Sequence, residues 1–437
     1  MQGKIENGIA RAWNTETARS NLDRWLSVCE KEGWGEMPEN IDLLIQVFGA
    51  SWYFTRFIFF RGCKVACYFD EPRPDNYPRA ELQDRMFGRM AGDDVEQKMD
   101  SLRMQKNEVM LQVLLEWLSG NMDQENMEVA LTNLAEAALW CAMRLLIEEH
   151  DYTNEDIATL AMGRMAGYEM NFGSDLDLIF IYSGRSPEES STLVKQIQLL
   201  LRHIAVASPA GILYEIDMRL RPHGTSGTLI TPANYFIEYH TTDREIWERQ
   251  MMTRCRPVID DEDGLAEESL ATVREAIYHR YDERYLRDEI IAMRRRVESE
   301  LGNPKGKYEI KRGRGGIMDI DFLTHYFQLL HGHENQQLRT TSTREALRQC
   351  EASGLIKTDQ CSELLQAYNF MKRIECSLRV TDLKSISAFS QQPEAIVPLA
   401  RSMGFAGDHG SEQFLEQYNR IAGSVRNHFE TLVGKIS

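Results

Sequence analysis

The chain has 437 residues, 43% of them hydrophobic, enough for two or three domains with cores of their own. Lysine plus arginine number 50 against 67 aspartates plus glutamates, a formal net charge of -17 at pH 7; a nucleic-acid backbone needs clustered positive charge, so no nucleic-acid partner is expected. No run of 18 or more apolar residues occurs, and the opening MQGKIENGIARAWN lacks the apolar centre of a secretory signal, so neither a membrane span nor export is expected.

Residues 1–150 read as a helical region. In ARSNLDRWLSVCEKEG, Leu22, Trp25, Leu26 and Cys29 recur at helical spacing. IDLLIQVFGASWYFTRFIFFRG reads as a second, very apolar helical segment, and the prolines of FDEPRPDNYPRAEL as a linker or turn. Helical periodicity returns from Asp100 to His150, and MEVALTNLAEAALWCAMRLLIEEH is rich in good helix formers. The eight cysteines are scattered through apolar helical contexts and read as reduced thiols of a cytoplasmic protein. Cys63 and Cys67 lie four apart, but no other Cys or His stands nearby at ligand spacing, so no metal is assigned to them.

The texture changes after residue 150. DIATLAMGRMAGYEMNFGSDLDLIFIYSG is punctuated by glycines and ends in the apolar run 178–182, a buried strand between Gly173 and Gly184. SSTLVKQIQLLLRHIAVAS reads as a helix and GILYEIDMRLRP as another strand, so residues 151–262 form a small α/β domain. Residues 263–437 are mostly helical, interrupted by the glycine-rich loop 311–316 in KYEIKRGRGGIMDIDF. Arg294, Arg295 and Arg296 read as a solvated helix face. The fold class is therefore α+β, mostly helical overall, with a small α/β domain between an N-terminal helical region and a C-terminal helical bundle.

Side chains alternate faces along a strand, so Asp175 and Asp177 point the same way. In GILYEIDMRLRP, Asp217, Arg219 and Arg221 share one parity while Ile212, Tyr214, Ile216 and Met218 share the other. Three carboxylates on neighbouring strands repel one another unless cations with a taste for hard oxygen ligands, Mg²⁺ first among them, lie between them. Two such ions about 3.5–4 Å apart clamp the attacking and leaving oxygens of a phosphoryl group. Gly173 and Ser174 make a small turn suited to phosphate oxygens, and Arg219 and Arg221 suit phosphate or a carboxylate partner. An isolated D-x-D is commonly a solvated surface pair; Gly-Ser before it, a buried strand after it and Asp217 further on set this one apart.

G-S-D-x-D followed by a later Asp resembles the signature of the nucleotidyltransferase superfold that includes polymerase β. MGRMAGYEMNFGSDLDLIF, DMRLRPHGTSG, REIWERQMMTRCRPV and IKRGRGGIMDIDF, in this order, resemble one half of the glutamine synthetase adenylyltransferase/deadenylylase family. The flanks NLDRWLSVCEKEG, LLIQVFGASWYFTRFI and AYNFMKRIECSLRV extend the likeness over nearly the whole chain. The resemblance implies a nucleotidyltransferase domain with a mixed sheet that moves AMP to or from a tyrosine of glutamine synthetase. It implies Asp175, Asp177 and Asp217 as ligands of Mg²⁺ (two ions, with Mn²⁺ an alternative), Gly173 and Ser174 as the phosphate turn, and Arg219 and Arg221 as phosphate or inter-strand partners. Glu169 would brace the loop or the metal shell. Glu248 and Arg249, with Arg254 and Arg256, would lie on a helix beside the site. Lys311, Arg312 and Arg314, followed by Asp319 and Asp321, would close over the nucleotide. Substrates would be ATP, ADP or inorganic phosphate, and partners glutamine synthetase and a PII-type signal protein. Arg164, Ala166 and His223 depart from the family pattern, where lysine, glycine and Phe or Ser stand.

Two directions share this geometry. GILYEIDMRLRP and LGNPKGKYEIK resemble the adenylylating half; GRGGIMDIDF, RTTSTREALRQCEASGLI, AYNFMKRIEC and VRNHFETLVG resemble the deadenylylating half. The expectation leans to phosphorolysis of AMP-tyrosine, releasing ADP. A nucleotidyltransferase with another target, and a catalytically silent regulatory nucleotide-binding module, are the rival classes.

Overall fold

The computed structural model describes residues 2–34, 38–70, 73–74, 76–150, 157–183, 187–242, 244–259 and 264–436. Gly184, the domain boundary at 150/151 and that at 262/263 touch positions outside these ranges. The protein is a mostly helical α+β assembly around one small mixed sheet.

Five strands build that sheet: β1 (Ile157–Met162), β2 (Leu176–Tyr182), β3 (Ile216–Asp217), β4 (Thr231–Pro232) and β5 (Cys255–Ile259). Their order is β3-β2-β1-β5, with β4 also on β2. β1 runs antiparallel to β2 and β5; β3 and β4 run parallel to β2. β6 (Lys307–Glu309) and β7 (Ala388–Ser390) form a separate ribbon.

Strand alternation divides the interior. Ile157, Ala161, Leu176, Leu178 and Phe180 join a core shared with the N-terminal helices. Ala158, Leu160, Met162, Ile179 and Ile181 join a second core made with helices of the C-terminal region. Asp175 and Asp177 share the parity of Ile179 and Ile181, so they face the C-terminal helices. The helix Gln124–His150, 27 residues long, is apolar enough to cross a membrane by composition, yet 78% of its apolar window is buried inside the protein. It is a core helix, packed on Val95–Ser119 and Arg79–Gly88.

Several local expectations are corrected. The apolar segment 41–62 is two helices, Ile41–Ala50 and Trp52–Arg61. Ser51 breaks it: the residue is extended, its Oγ accepts from the Phe54 N–H at 3.1 Å and donates to the Val380 carbonyl at 2.6 Å. Most of GILYEIDMRLRP is not strand. Only Ile216 and Asp217 pair with β2, because the Asp217 carboxylate captures the Arg219 N–H at 2.8 Å and turns the chain. Arg256 lies on β5, not on a helix; Pro257 in the same strand is tolerated because β5 is an edge. In the proline-rich stretch Arg73 pairs with Glu116 and Tyr77 is buried, while Glu71, Pro72 and Asp75 lie outside the described residues. The seven described cysteines are free thiols; the Cys63 side chain lies outside the described residues.

Candidate active site

Parallel pairing of β2 with β3 sets Asp177 opposite Asp217, and alternation along the entry to β2 brings Asp175 to the same face. One carboxylate oxygen from each of the three lies within 4.8 Å of the others. Room for this comes from the turn after β1. Gly163 has φ +55°, and a Cβ there would stand 2.6 Å from Asp177 Oδ2. Gly163→Ala is expected to displace that carboxylate and to lower stability by about 1–2 kcal/mol through the left-handed backbone alone; an unchanged urea midpoint would show that the turn relaxes freely.

Charge is unbalanced at the cluster. Burial, then the Asp175 and Asp217 carboxylates, push Asp177 up to about 7, against weaker opposition from Lys311 and Arg219. Asp217 is held below the usual carboxylate range by its hydrogen bonds with Arg219, whose Nε lies 2.9 Å from Oδ2. Three hard oxygen donors converge, and burial with its two acidic neighbours disfavours the charge on the middle one. That donor set fits divalent cations held by Asp175, Asp177 and Asp217.

Of the basic loop, Lys311 alone among the described contacts bears on the triad, lying near enough to lower Asp177. Its own ammonium is lowered by burial. Arg312 is half-exposed, 3.7 Å from Glu309, and Arg314 reaches Glu430 at the surface. The loop is rigidly held: Glu309 accepts from the Lys311 N–H, Asp319 accepts from the Gly315 N–H, and Arg294 donates to the Gly313 carbonyl. Arg294 is thus a correction. It is fully buried against Asp319 at 2.5 Å rather than solvated. Its partner lies 25 residues away, which no local pattern reveals. Asp319 and Asp321 are both buried in ion pairs, with Arg294 and Arg164.

Arg219 grips Asp217 with an otherwise exposed side chain. Arg221 spends its guanidinium on the carbonyls of Met218, Gly227 and Thr228, which organises the loop between β3 and β4. Gly173 has φ +62°, and a Cβ there would meet the Leu383 carbonyl at 2.5 Å. Ser174 Oγ accepts from the Asn171 N–H and from Arg379 Nη1, at 2.9 and 3.2 Å. The turn is therefore pinned by the end of helix Thr358–Val380 and the residues after it. Arg379, held in turn by Glu375 at 2.8 Å, was not anticipated; no spacing near Ser174 points to a residue 205 positions later. Glu248 accepts from the Tyr239 hydroxyl, and Arg249 donates to the Ala276 carbonyl and the Tyr281 hydroxyl.

Glu169 belongs to a buried ionic brace behind the site. It accepts from the Thr343 N–H and the Tyr368 hydroxyl, both at 2.7 Å, and from Arg164 at 2.8 Å. Burial would raise it, but Arg254, Arg164 and Arg344 outweigh burial and hold it down to about 2. Arg164 and Arg254 also share Asp321, at 2.6 and 2.7 Å. The arginine at position 164 thus forks between two carboxylates, which a lysine's point charge would not do.

Comparison with known proteins gives this geometry a family. A sequence model described as glutamate-ammonia ligase adenylyltransferase matches residues 41–271, and one described as GlnD PII-uridylyltransferase matches residues 287–433. Among similar proteins, the bifunctional glutamine synthetase adenylyltransferase/adenylyl-removing enzymes of Chromobacterium violaceum and Vibrio parahaemolyticus are each 31% identical, over 68% and 69% of this chain and 33% and 34% of their own. The enzyme of that name from Methylococcus capsulatus is 27% identical over 85% of this chain and 40% of its own. The chain thus spans about a third of the length of the first two relatives. With its model covering more than half of the 437 residues, the acidic strand pair included, this protein belongs to the glutamate-ammonia ligase adenylyltransferase family.

Proposed function

We propose that the chain is a metal-dependent nucleotidyltransferase that removes AMP from a tyrosine of glutamine synthetase, with inorganic phosphate as acceptor and ADP as product. The observation that carries this reading is the convergence of three carboxylates in a member of this family. Asp175, Asp177 and Asp217 would hold Mg²⁺, two ions or Mn²⁺ in their place, which when bound supplies charge stabilisation to the phosphoryl oxygens. Lys311 adds positive charge on the same side. Arg219, swung from Asp217, would offer its fork to the phosphate. The pinned Gly173–Ser174 turn sets the approach to Asp175. In the reaction a phosphate oxygen bonds to the α-phosphorus, the bond to the tyrosine oxygen breaks, and that oxygen takes up a proton. Positioning and electrostatics supply the rate, with no covalent intermediate on the protein.

The match of residues 287–433 to the PII-uridylyltransferase description supports a PII-type protein as a second partner. Free thiols throughout the described cysteines agree with a reducing cytoplasm. We take residues 1–150, 151–262 and 263–437 as the functional units, the middle one carrying the triad between cores it shares with each neighbour.

A paired assay with Mg²⁺ tests the direction. AMP-modified synthetase with phosphate is expected to yield ADP, while unmodified synthetase with α-labelled ATP gains no label. Label gained in the second reaction reverses the direction, and silence in both with nucleotide still bound points to a regulatory module.

A further inference from the structure

A further cavity lies against the Gly173–Ser174 turn, with none of the triad among its lining residues. About 260 Å³ in volume, it opens between helix Val95–Ser119 and the segment entering β3, with Lys106, Ser174, Leu213, Tyr214 and Leu383 among its walls. Lys106 is only 5% exposed. Among the described residues no carboxylate lies within ion-pair distance of its ammonium. Its only partners there are the carbonyls of Ile212 and Leu213, at 3.4 and 3.2 Å, and the face of Tyr214, 5.2 Å from the ring centre. Two long hydrogen bonds leave the third N–H without an acceptor among the described residues.

A buried ammonium with no counter-charge is costly, and proteins ordinarily pair it or expose it. Here burial, with Arg103 one turn away, lowers Lys106 to about 8. The triad carboxylates do not relieve it, and the other charged residues lining the cavity, the acids Glu215 and Asp382 and the base Lys384, form no ion pair with its ammonium. The deficit sits beside an aromatic ring and apolar side chains.

We propose that this cavity binds a small oxyanion, a phosphate or a carboxylate, on the Lys106 ammonium. The bound oxygen would complete the set of three acceptors and supply the missing negative charge. Because Gly173 and Ser174 form one wall, the anion would bear on the turn that leads into Asp175, from a place separate from the cations.

Inorganic phosphate and, separately, acetate are titrated calorimetrically into the metal-free full chain, in the wild type and in Asp177→Asn, which disables the triad. Saturable binding equal in the two proteins is expected, weakened about tenfold or more by Lys106→Met and largely kept by Lys106→Arg. Binding of one anion and not the other identifies which source the site takes. A second readout needs no variant at the site: phosphate should shield Lys106, and not Lys4, from amidination by methyl acetimidate, read by peptide mass spectrometry. Absence of saturable binding for both anions, or binding that Lys106→Met leaves unchanged, overturns the proposal without touching the assignment of the triad.

Discussion

Asp177→Asn is expected to abolish AMP transfer, with a loss of about a thousandfold or more in turnover, while the protein stays folded. Removing one preorganised group that stabilises developing charge costs on the order of 10²–10³ in rate, and Asp177→Asn weakens the hold on the cations that supply that stabilisation, which places the loss at or above the upper end of that range. Stability should not fall in the same variant. Burial and the charges of Asp175 and Asp217 already disfavour the Asp177 carboxylate, so a neutral amide of equal size relieves repulsion in the metal-free protein. Melting without metal should therefore match or exceed the wild type. A variant that loses activity and melting temperature together would make Asp177 a structural residue. One that keeps near-normal turnover would remove the triad from catalysis.

The second large effect is structural. Asp321→Asn should cost about 3–5 kcal/mol, because Arg164 and Arg254 stay buried with a single shared carboxylate, Glu169, between them. Asp321 is held below the usual carboxylate range in the folded protein, Arg164 and Arg254 outweighing the effect of burial. Its folded value thus lies below its unfolded one, so its contribution to stability is full above the unfolded value near 4 and fades as pH falls toward the folded value. Glu169, at about 2, behaves in the same way. Chemical denaturation at several pH values should show wild-type stability dropping steadily below about pH 4.5, with a shallower drop in Asp321→Asn. Parallel pH dependences in the two proteins would remove Asp321 from the acid-sensitive brace.

The strand and its acids were legible because their signals are local. An unbroken apolar run after Gly-Ser-Asp-x-Asp fixes β2, its parity and the direction of two carboxylates within eight positions. Asp217 was legible as a type and a place, although its strand shrank to two residues once its own carboxylate took the next N–H but one. What stayed hidden depends on partners far along the chain. Arg294, inside a run of three arginines, looks like its exposed neighbour Arg296 until Asp319 is seen beside it. The split at Ser51 depends on the Val380 carbonyl, 329 positions away. Arg256 and Pro257 make CRPVI a poor strand by composition, and only edge pairing with β1 makes it one.

The measurement closest to the central claim is a titration of Mn²⁺ into the full chain, followed by its paramagnetic resonance signal, in wild type and Asp177→Asn at one pH and ionic strength. If Asp175, Asp177 and Asp217 form the cation site, the wild type binds Mn²⁺ saturably, Mg²⁺ competes for it, and the variant loses that binding while melting as the wild type does. Equal Mn²⁺ binding by the two proteins would contradict the account, because the ion would then be held elsewhere and the three carboxylates would need another explanation.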